Sequence, residues 1–169
     1  MKQLETRPPD TAEERVQRAL ELAYRYLNRR ERTEAEVRQR LEREDLGSAT
    51  VEAAISTLSE QGYLDDSRFA RLFTEDKRQL EQWGSDRIRR SLRQLGIDPE
   101  LIETALGEPT AQSELEQALE LLHRRFSQPP ADRRERDRAL AVLLRKGYEM
   151  ELALDALAAY RFAPPRHQY

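Results

Sequence analysis

Residues 85–106 read SDRIRRSLRQLGIDPELIETAL, and residues 136–157 read RDRALAVLLRKGYEMELALDAL. Laid over each other without a gap, they match at eight of 22 positions: Asp86/Asp137, Arg87/Arg138, Leu92/Leu143, Gly96/Gly147, Glu100/Glu151, Leu101/Leu152, Ala105/Ala156 and Leu106/Leu157. The same offset of 51 residues reaches a worn third copy upstream, with Val37 for Ile88, Arg38 for Arg89, Leu41 for Leu92, Val51 for Ile102, Glu52 for Glu103 and Ala54 for Ala105. A fixed period of this length marks stacked supersecondary units. Such chains present a long surface rather than one closed pocket, which favours a binder of macromolecules over an enzyme.

Around these copies the punctuation is helical throughout. Asp10 with Glu13, and Thr33 with Glu36, have capping-box spacing. Val16, Leu20, Ala23 and Leu27 follow a helical stripe, Val37 and Leu41 mark a second helix, and Val51, Ile55 and Leu58 a third that Gly62 stops. A long helix striped by Phe69, Leu72, Phe73 and Leu80 is expected to run to Trp83 and Gly84, with Phe69 entering its core. Ser85 is expected to cap the next helix, which carries Ile88, Leu92 and Leu95 and ends at Gly96. Asp98 followed by Pro99 is an N-cap and N1 pair, and Gly107 stops that helix. Leu115, Ala118, Leu119, Leu122 and Phe126 stripe a seventh helix, Ala139, Val142 and Leu143 an eighth, and Leu152, Ala153, Ala156, Leu157 and Tyr160 a ninth. No segment alternates as a strand does. The expected fold is therefore all-α, three tandem three-helix repeats in an elongated, curved, solenoid-like arrangement. The boundaries are a flexible N-terminus over 1–9, repeats over 10–64, 65–109 and 110–160, and a flexible tail over 161–169.

Composition agrees. Of 169 residues, 36% are charged, 38% hydrophobic and 7% aromatic, so thin modules burying stripes suit the chain better than one thick core. The net charge of -3 does not draw the whole protein onto nucleic acid. Without cysteine there are no disulfides, thiolate nucleophiles or cysteine metal sites. No apolar run approaches the ~20 residues that cross a membrane, and MKQLETRPPD has no apolar signal region. A cytoplasmic monomer without cofactor or membrane contact is expected. Nothing points to catalysis: His167 lies in the tail, His123 sits on a helix as a surface or packing residue, no metal-ligand spacing occurs, and the six glycines are scattered as helix stops.

Chemistry concentrates instead in arginine, 26 of the 29 basic residues. A genome rich in G and C gives that bias without function, whereas bidentate recognition of phosphate or carboxylate gives it a use. Arg87, Arg89, Arg90 and Arg93 share one short helix with a single acid, Asp86. Arg89 with Arg93, and Arg87 with Arg90, have the spacing of two ridges on the face away from Ile88 and Leu92. Arg133, Arg134, Arg136 and Arg138 occupy the matching helix, diluted by Asp132, Glu135 and Asp137, and Arg29, Arg30 and Arg32 punctuate the first repeat. Aligned, these clusters form a stripe suited to phosphates or an acidic protein surface; paired locally, they are solvated faces.

The junction GYLDDSRFA, Gly62 to Ala70, joins a helix stop, an aromatic and an aliphatic pin, and the paired acids Asp65 and Asp66 as caps for the helix that follows. With YLNRRERTEAEVRQRL at 26–41, WGSDRIRRSLRQLGI at 83–97 and RKGYEMELALDAL at 145–157, it resembles the RecX family of bacterial regulators of the RecA recombinase. The resemblance covers about Leu20 to Leu157. It implies a non-enzymatic protein that binds the RecA nucleoprotein filament, restrains ATP hydrolysis, strand exchange and co-protease activity, and so acts in recombination, DNA repair and the SOS response; several members bind DNA. Its motifs fall on the helix with Arg87, Arg89, Arg90 and Arg93 and on the junction with Tyr63, Asp65 and Asp66, with Arg133, Arg134 and Arg136 at the matching place downstream. The acids Glu34, Glu36, Glu42, Glu44 and Asp45 depart from a DNA-contacting pattern in the first repeat. Two other readings remain: a stand-alone DNA-binding protein that competes for DNA, against which stands the lack of an aromatic-interleaved basic platform, and a helical-repeat adaptor for another protein.

Overall fold

A computed structural model describes residues 11–107 and 111–160 of the chain. Nine helices and no strand occur among them: α1 (Ala12–Leu27), α2 (Glu34–Glu42), α3 (Ser48–Glu60), α4 (Asp66–Gln79), α5 (Ser85–Gln94), α6 (Pro99–Leu106), α7 (Ala111–Arg125), α8 (Arg133–Lys146) and α9 (Met150–Tyr160). They divide into two compact units. The first holds the described residues up to Phe69 together with Leu95–Ile97; the second holds 70–94 and the described residues from Asp98 on.

In the first unit α1, α2 and α3 pack on one another. The expected stripes meet there: Ala19, Leu20, Ala23, Val37, Leu41, Val51, Ala54, Ile55 and Leu58 are buried, with Leu46 and Leu64 supplied by the connections. A buried aliphatic side chain of this kind stabilises by roughly 1.5–3 kcal/mol. Thr33 caps α2 as expected, its hydroxyl accepting from Glu36 N while Glu36 returns to Thr33 N. The α1 cap is Thr11 with Glu14, one residue beyond the expected Asp10 with Glu13. Both pairs have the S/T/D-x-x-E spacing, and Asp10 itself lies outside the described residues. The Thr33 hydroxyl also donates to Leu95 O at 2.7 Å. Gly96 beside it has φ +79°, and a Cβ built there would stand 2.3 Å from the Ala35 Cβ. A left-handed turn against a neighbouring helix admits only glycine.

In the second unit α7, α8 and α9 enclose Ala118, Leu121, Leu122, Ala139, Leu143, Tyr148, Ala153, Ala156, Leu157 and Tyr160. Helix α5 packs on α6 and buries Ile88, Leu92, Ile102 and Leu106. Asp98 caps α6 from before Pro99, its carboxylate accepting from Glu100 N, as the sequence led one to expect. Helix α4 departs from expectation. It ends at Gln79, Leu80 is 75% exposed, and Phe69, Leu72 and Phe73 are only partly buried, while Ala70 and Thr74 are buried. The inward stripe thus runs through small residues, and the aromatics flank it. Phe73 meets the Trp83 ring edge-on at 6.3 Å.

Candidate functional site

Helix α5 forms because Ile88 and Leu92, four apart, share one buried face, leaving the arginines on the others. Its start is built from backbone. Gly84 N donates to Lys146 O at 2.8 Å and Asp86 N to Gly147 O at 3.2 Å, so the last carbonyls of α8 satisfy the first amides of α5. The approach leaves no space for side chains: a Cβ on Gly84 would lie 2.3 Å from Gly147 O, and one on Gly147, at φ +90°, would lie 2.3 Å from the Arg87 Cβ. The Ser85 hydroxyl does not cap its own helix as expected. It donates to Glu114 and accepts from Arg78, which also donates to Leu106 O at 3.0 Å.

The four arginines of α5 have different environments. The Arg87 guanidinium lies 3.9 Å over the Trp83 ring and donates to Arg145 O at 3.1 Å, near the negative end of α8. Lys146 donates to Glu81 O beside it; burial, followed by the charge of Arg87, lowers the lysine's pKa. Arg89 donates to Glu103 at 2.7 and 3.2 Å and to Asp86 at 2.8 Å. The Glu103 hydrogen bond holds its pKa above the usual arginine value. Arg90 and Arg93 are exposed; Arg90 spends only its Nε, on Asp86 O at 3.3 Å, and Arg93 adds its field to the one that keeps Glu103 ionised. The spacing gave two ridges, but partners from α6 and α8 take one member of each. In α8, Arg133, Arg134 and Arg136 are exposed, and Arg133 stands 3.9 Å from Asp137.

The junction divides its acids between two helices. Asp65 Oδ1 accepts from Arg68 N at 2.8 Å and caps α4, while Asp66 Oδ1 accepts from Glu34 N at 2.9 Å and caps α2. Both acids were expected to serve α4; the correction is that the second reaches back. Burial raises the Asp66 pKa, against the hydrogen bond from Glu34, and the neighbouring Glu34, Asp65 and Glu36 carboxylates raise it further. Tyr63 is 56% exposed, with its ring edge on Tyr24 at 5.2 Å. Sequence reasoning passed over Lys77 and Arg78: Lys77 lies over the Phe73 and Trp83 rings and pairs with Glu81 at i,i+4 spacing, while Arg78 reaches Leu106 O, 28 residues on, a contact that no local spacing signals. His123 packs edge-on against Tyr160 at 4.8 Å, and His167 lies outside the described residues. Among the described residues no group of three or more His, Asp or Glu is placed to hold a metal, and no helix is long and apolar enough to cross a membrane.

Family models match in chain order: the first three-helix domain of RecX at residues 19–58, the second at 65–106 and the third at 112–157. The chain belongs to the RecX family. A relative from Deinococcus radiodurans, named Regulatory protein RecX, is 37% identical over 142 residues, 84% of this chain and 68% of the relative. Another of that name, from Leptothrix cholodnii, is 33% identical over 87% of this chain and 90% of its own. The crystal structure of RecX from Lactobacillus salivarius superposes with a TM-score of 0.76 at 22% identity, covering 88% of this chain and 98% of that one, a likeness of fold. The first, second and third three-helix domains of the family are thus each matched, and α5, with its arginines, lies in the second.

Proposed function

We propose that this chain binds RecA nucleoprotein filaments and lowers their ATP hydrolysis, strand exchange and co-protease activity, acting as a cytoplasmic monomer and by binding rather than catalysis. The observation that carries the reading is the ordered match to the three RecX domains at 19–58, 65–106 and 112–157. A bound protein changes an activity only by preferring one conformation of its target, so restraint follows from favouring a filament state that hydrolyses slowly.

Within this reading the contacting residues are the arginines with unspent donors, Arg90 and Arg93 on α5 and Arg133, Arg134 and Arg136 on α8, with the exposed Tyr63. Guanidinium forks suit the carboxylates of a protein surface and the phosphates of filament DNA alike. Arg87, Arg89, Asp65 and Asp66 shape the surface through the internal bonds described above. The test is RecA ATP hydrolysis on single-stranded DNA at rising concentrations of the chain, with DNA in excess in a second series. Suppression that persists when DNA is in excess supports filament binding. Suppression that vanishes with excess DNA means competition for DNA instead.

A further inference from the structure

Between α1 and α2 of the first unit lies a cavity of about 260 Å³ lined by Leu22, Arg25, Tyr26, Arg29 and Arg40. It is smaller than the ~300–1,000 Å³ of drug-sized ligand pockets, so it has room for a small ionic group and the atoms attached to it. Three of its five lining residues are arginines and none is an acid. The neighbouring acids point elsewhere. Glu36 is held by Arg30, Arg32 and Thr33 N, and Glu34 and Glu52 by Arg38. Among the described residues the acid paired to the cavity wall is Glu44, through one terminal nitrogen of Arg40. Arg25 spends its Nε on Glu21 O, and neither Arg25 nor Arg29 has a carboxylate partner among the described residues. Of the acids that argued against anion contact in this repeat, Glu34, Glu36 and Glu44 are thus paired internally, which leaves the Arg25 and Arg29 guanidinium charges facing the cavity without a carboxylate on them. They outweigh the half-charge at the nearby α1 C-terminus.

We propose that this cavity binds phosphate groups, with Arg25, Arg29 and Arg40 as the donors and Leu22 and Tyr26 as the apolar wall. A lone carboxylate brings one charge and two oxygens in a plane, and would leave one of the three forks unused. A phosphate brings up to about two charges and oxygens in several directions, which matches cations arriving from two helices. The apolar wall suits the carbon atoms that a phosphate ester carries. The source is either a free phosphate ester or the backbone of a nucleic-acid strand. Neither depends on RecA, so the site and the filament reading fail separately.

The experiment follows the arginine Nε–Hε signals of the full ¹⁵N-labelled chain by NMR at constant ionic strength. The probes are inorganic phosphate, pyrophosphate, oligothymidylate, acetate and a polyglutamate peptide. The site requires saturable shifts of Arg25, Arg29 and Arg40 with phosphate and pyrophosphate, and none with acetate. Arg25→Ala with Arg29→Ala should weaken phosphate binding by at least about tenfold, since a charge-assisted bond is worth at least that factor. Both side chains are exposed, so unchanged circular dichroism is expected for the variant. Oligothymidylate binding more tightly per site than inorganic phosphate assigns the site to a nucleic-acid strand, and equal affinity assigns it to free esters. Shifts that fail to saturate, a response to acetate equal to that to phosphate, or tighter binding of polyglutamate would each overturn the proposal.

Discussion

Arg89 donates to Glu103 at 2.7 Å from its Nε, and 51 residues earlier Arg38 forms the same pair with Glu52, in each case joining two successive helices of one repeat. The third repeat has Leu140 and Leu154 at these places, the former partly buried and the latter 38% exposed. The repeat therefore preserves a position and changes its chemistry. An arginine that reads as part of a binding ridge is, in two repeats, a cross-brace between helices.

Arg89→Ala is expected to act on stability more than on partner binding. Arg89 is 26% exposed and Glu103 55%, so solvent screens the pair, and a double-mutant cycle of Arg89→Ala with Glu103→Ala should give about 0.5–1 kcal/mol of coupling. Urea unfolding of the four proteins measures it. Zero coupling would return Arg89 to the exposed surface.

Arg90→Ala with Arg93→Ala is expected to do the opposite. The folded stability should stay within about 0.5 kcal/mol, as for exposed substitutions, while binding to RecA filaments weakens and its salt dependence becomes shallower. Titrations at several salt concentrations, paired with thermal unfolding, separate the two effects. Wild-type filament affinity across the salt series would make these arginines a solvated face.

Gly84→Ala should destabilise the second unit by about 2–3 kcal/mol, because its Cβ would press into the Gly147 carbonyl, which is backbone and does not yield as a side chain does. Gly62→Ala, also on a turn but with open space around the Cβ, should suffer only the left-handed backbone cost of about 1 kcal/mol. The difference between their urea midpoints checks the packing argument. Equal losses would refute it.

These cases show what was legible in the sequence. The 51-residue register located α2, α5 and α8 with their partners α3, α6 and α9, because helix caps and apolar spacing are local signals. The core positions Leu41, Leu92 and Leu143 follow from it. Phe69 and Leu80 misled because an apolar stripe does not say how deep it lies: α4 turns Ala70 and Thr74 inward instead. The division of the arginines was not legible, because Glu103 and the Arg145 carbonyl are 14 and 58 residues from Arg89 and Arg87. The reach of Asp66 to Glu34 is a contact of the same distant kind.

Asp66 gives a pH prediction. Its folded pKa is raised, so the native state takes up its proton more readily than the unfolded chain does. Its contribution is therefore most favourable below the ordinary aspartate range and is lost as pH rises through the raised value. Asp66→Asn keeps an oxygen for Glu34 N and removes the desolvated charge. At neutral pH it should equal or exceed the parent in stability, and show less pH dependence across the acid range. Asp66→Ala, which removes the cap, should cost about 1 kcal/mol. Urea midpoints against pH decide; an asparagine variant as weak as the alanine one would mean that the charge itself is needed.

Filament binding is tested most directly by co-sedimentation of the purified chain with RecA filaments assembled on single-stranded DNA, beside the same DNA without RecA in the same buffer. The account predicts that the chain pellets with the filaments, saturably and at lower concentration than it pellets with DNA alone. A chain that stays in the supernatant with filaments, or pellets equally with naked DNA, would contradict it.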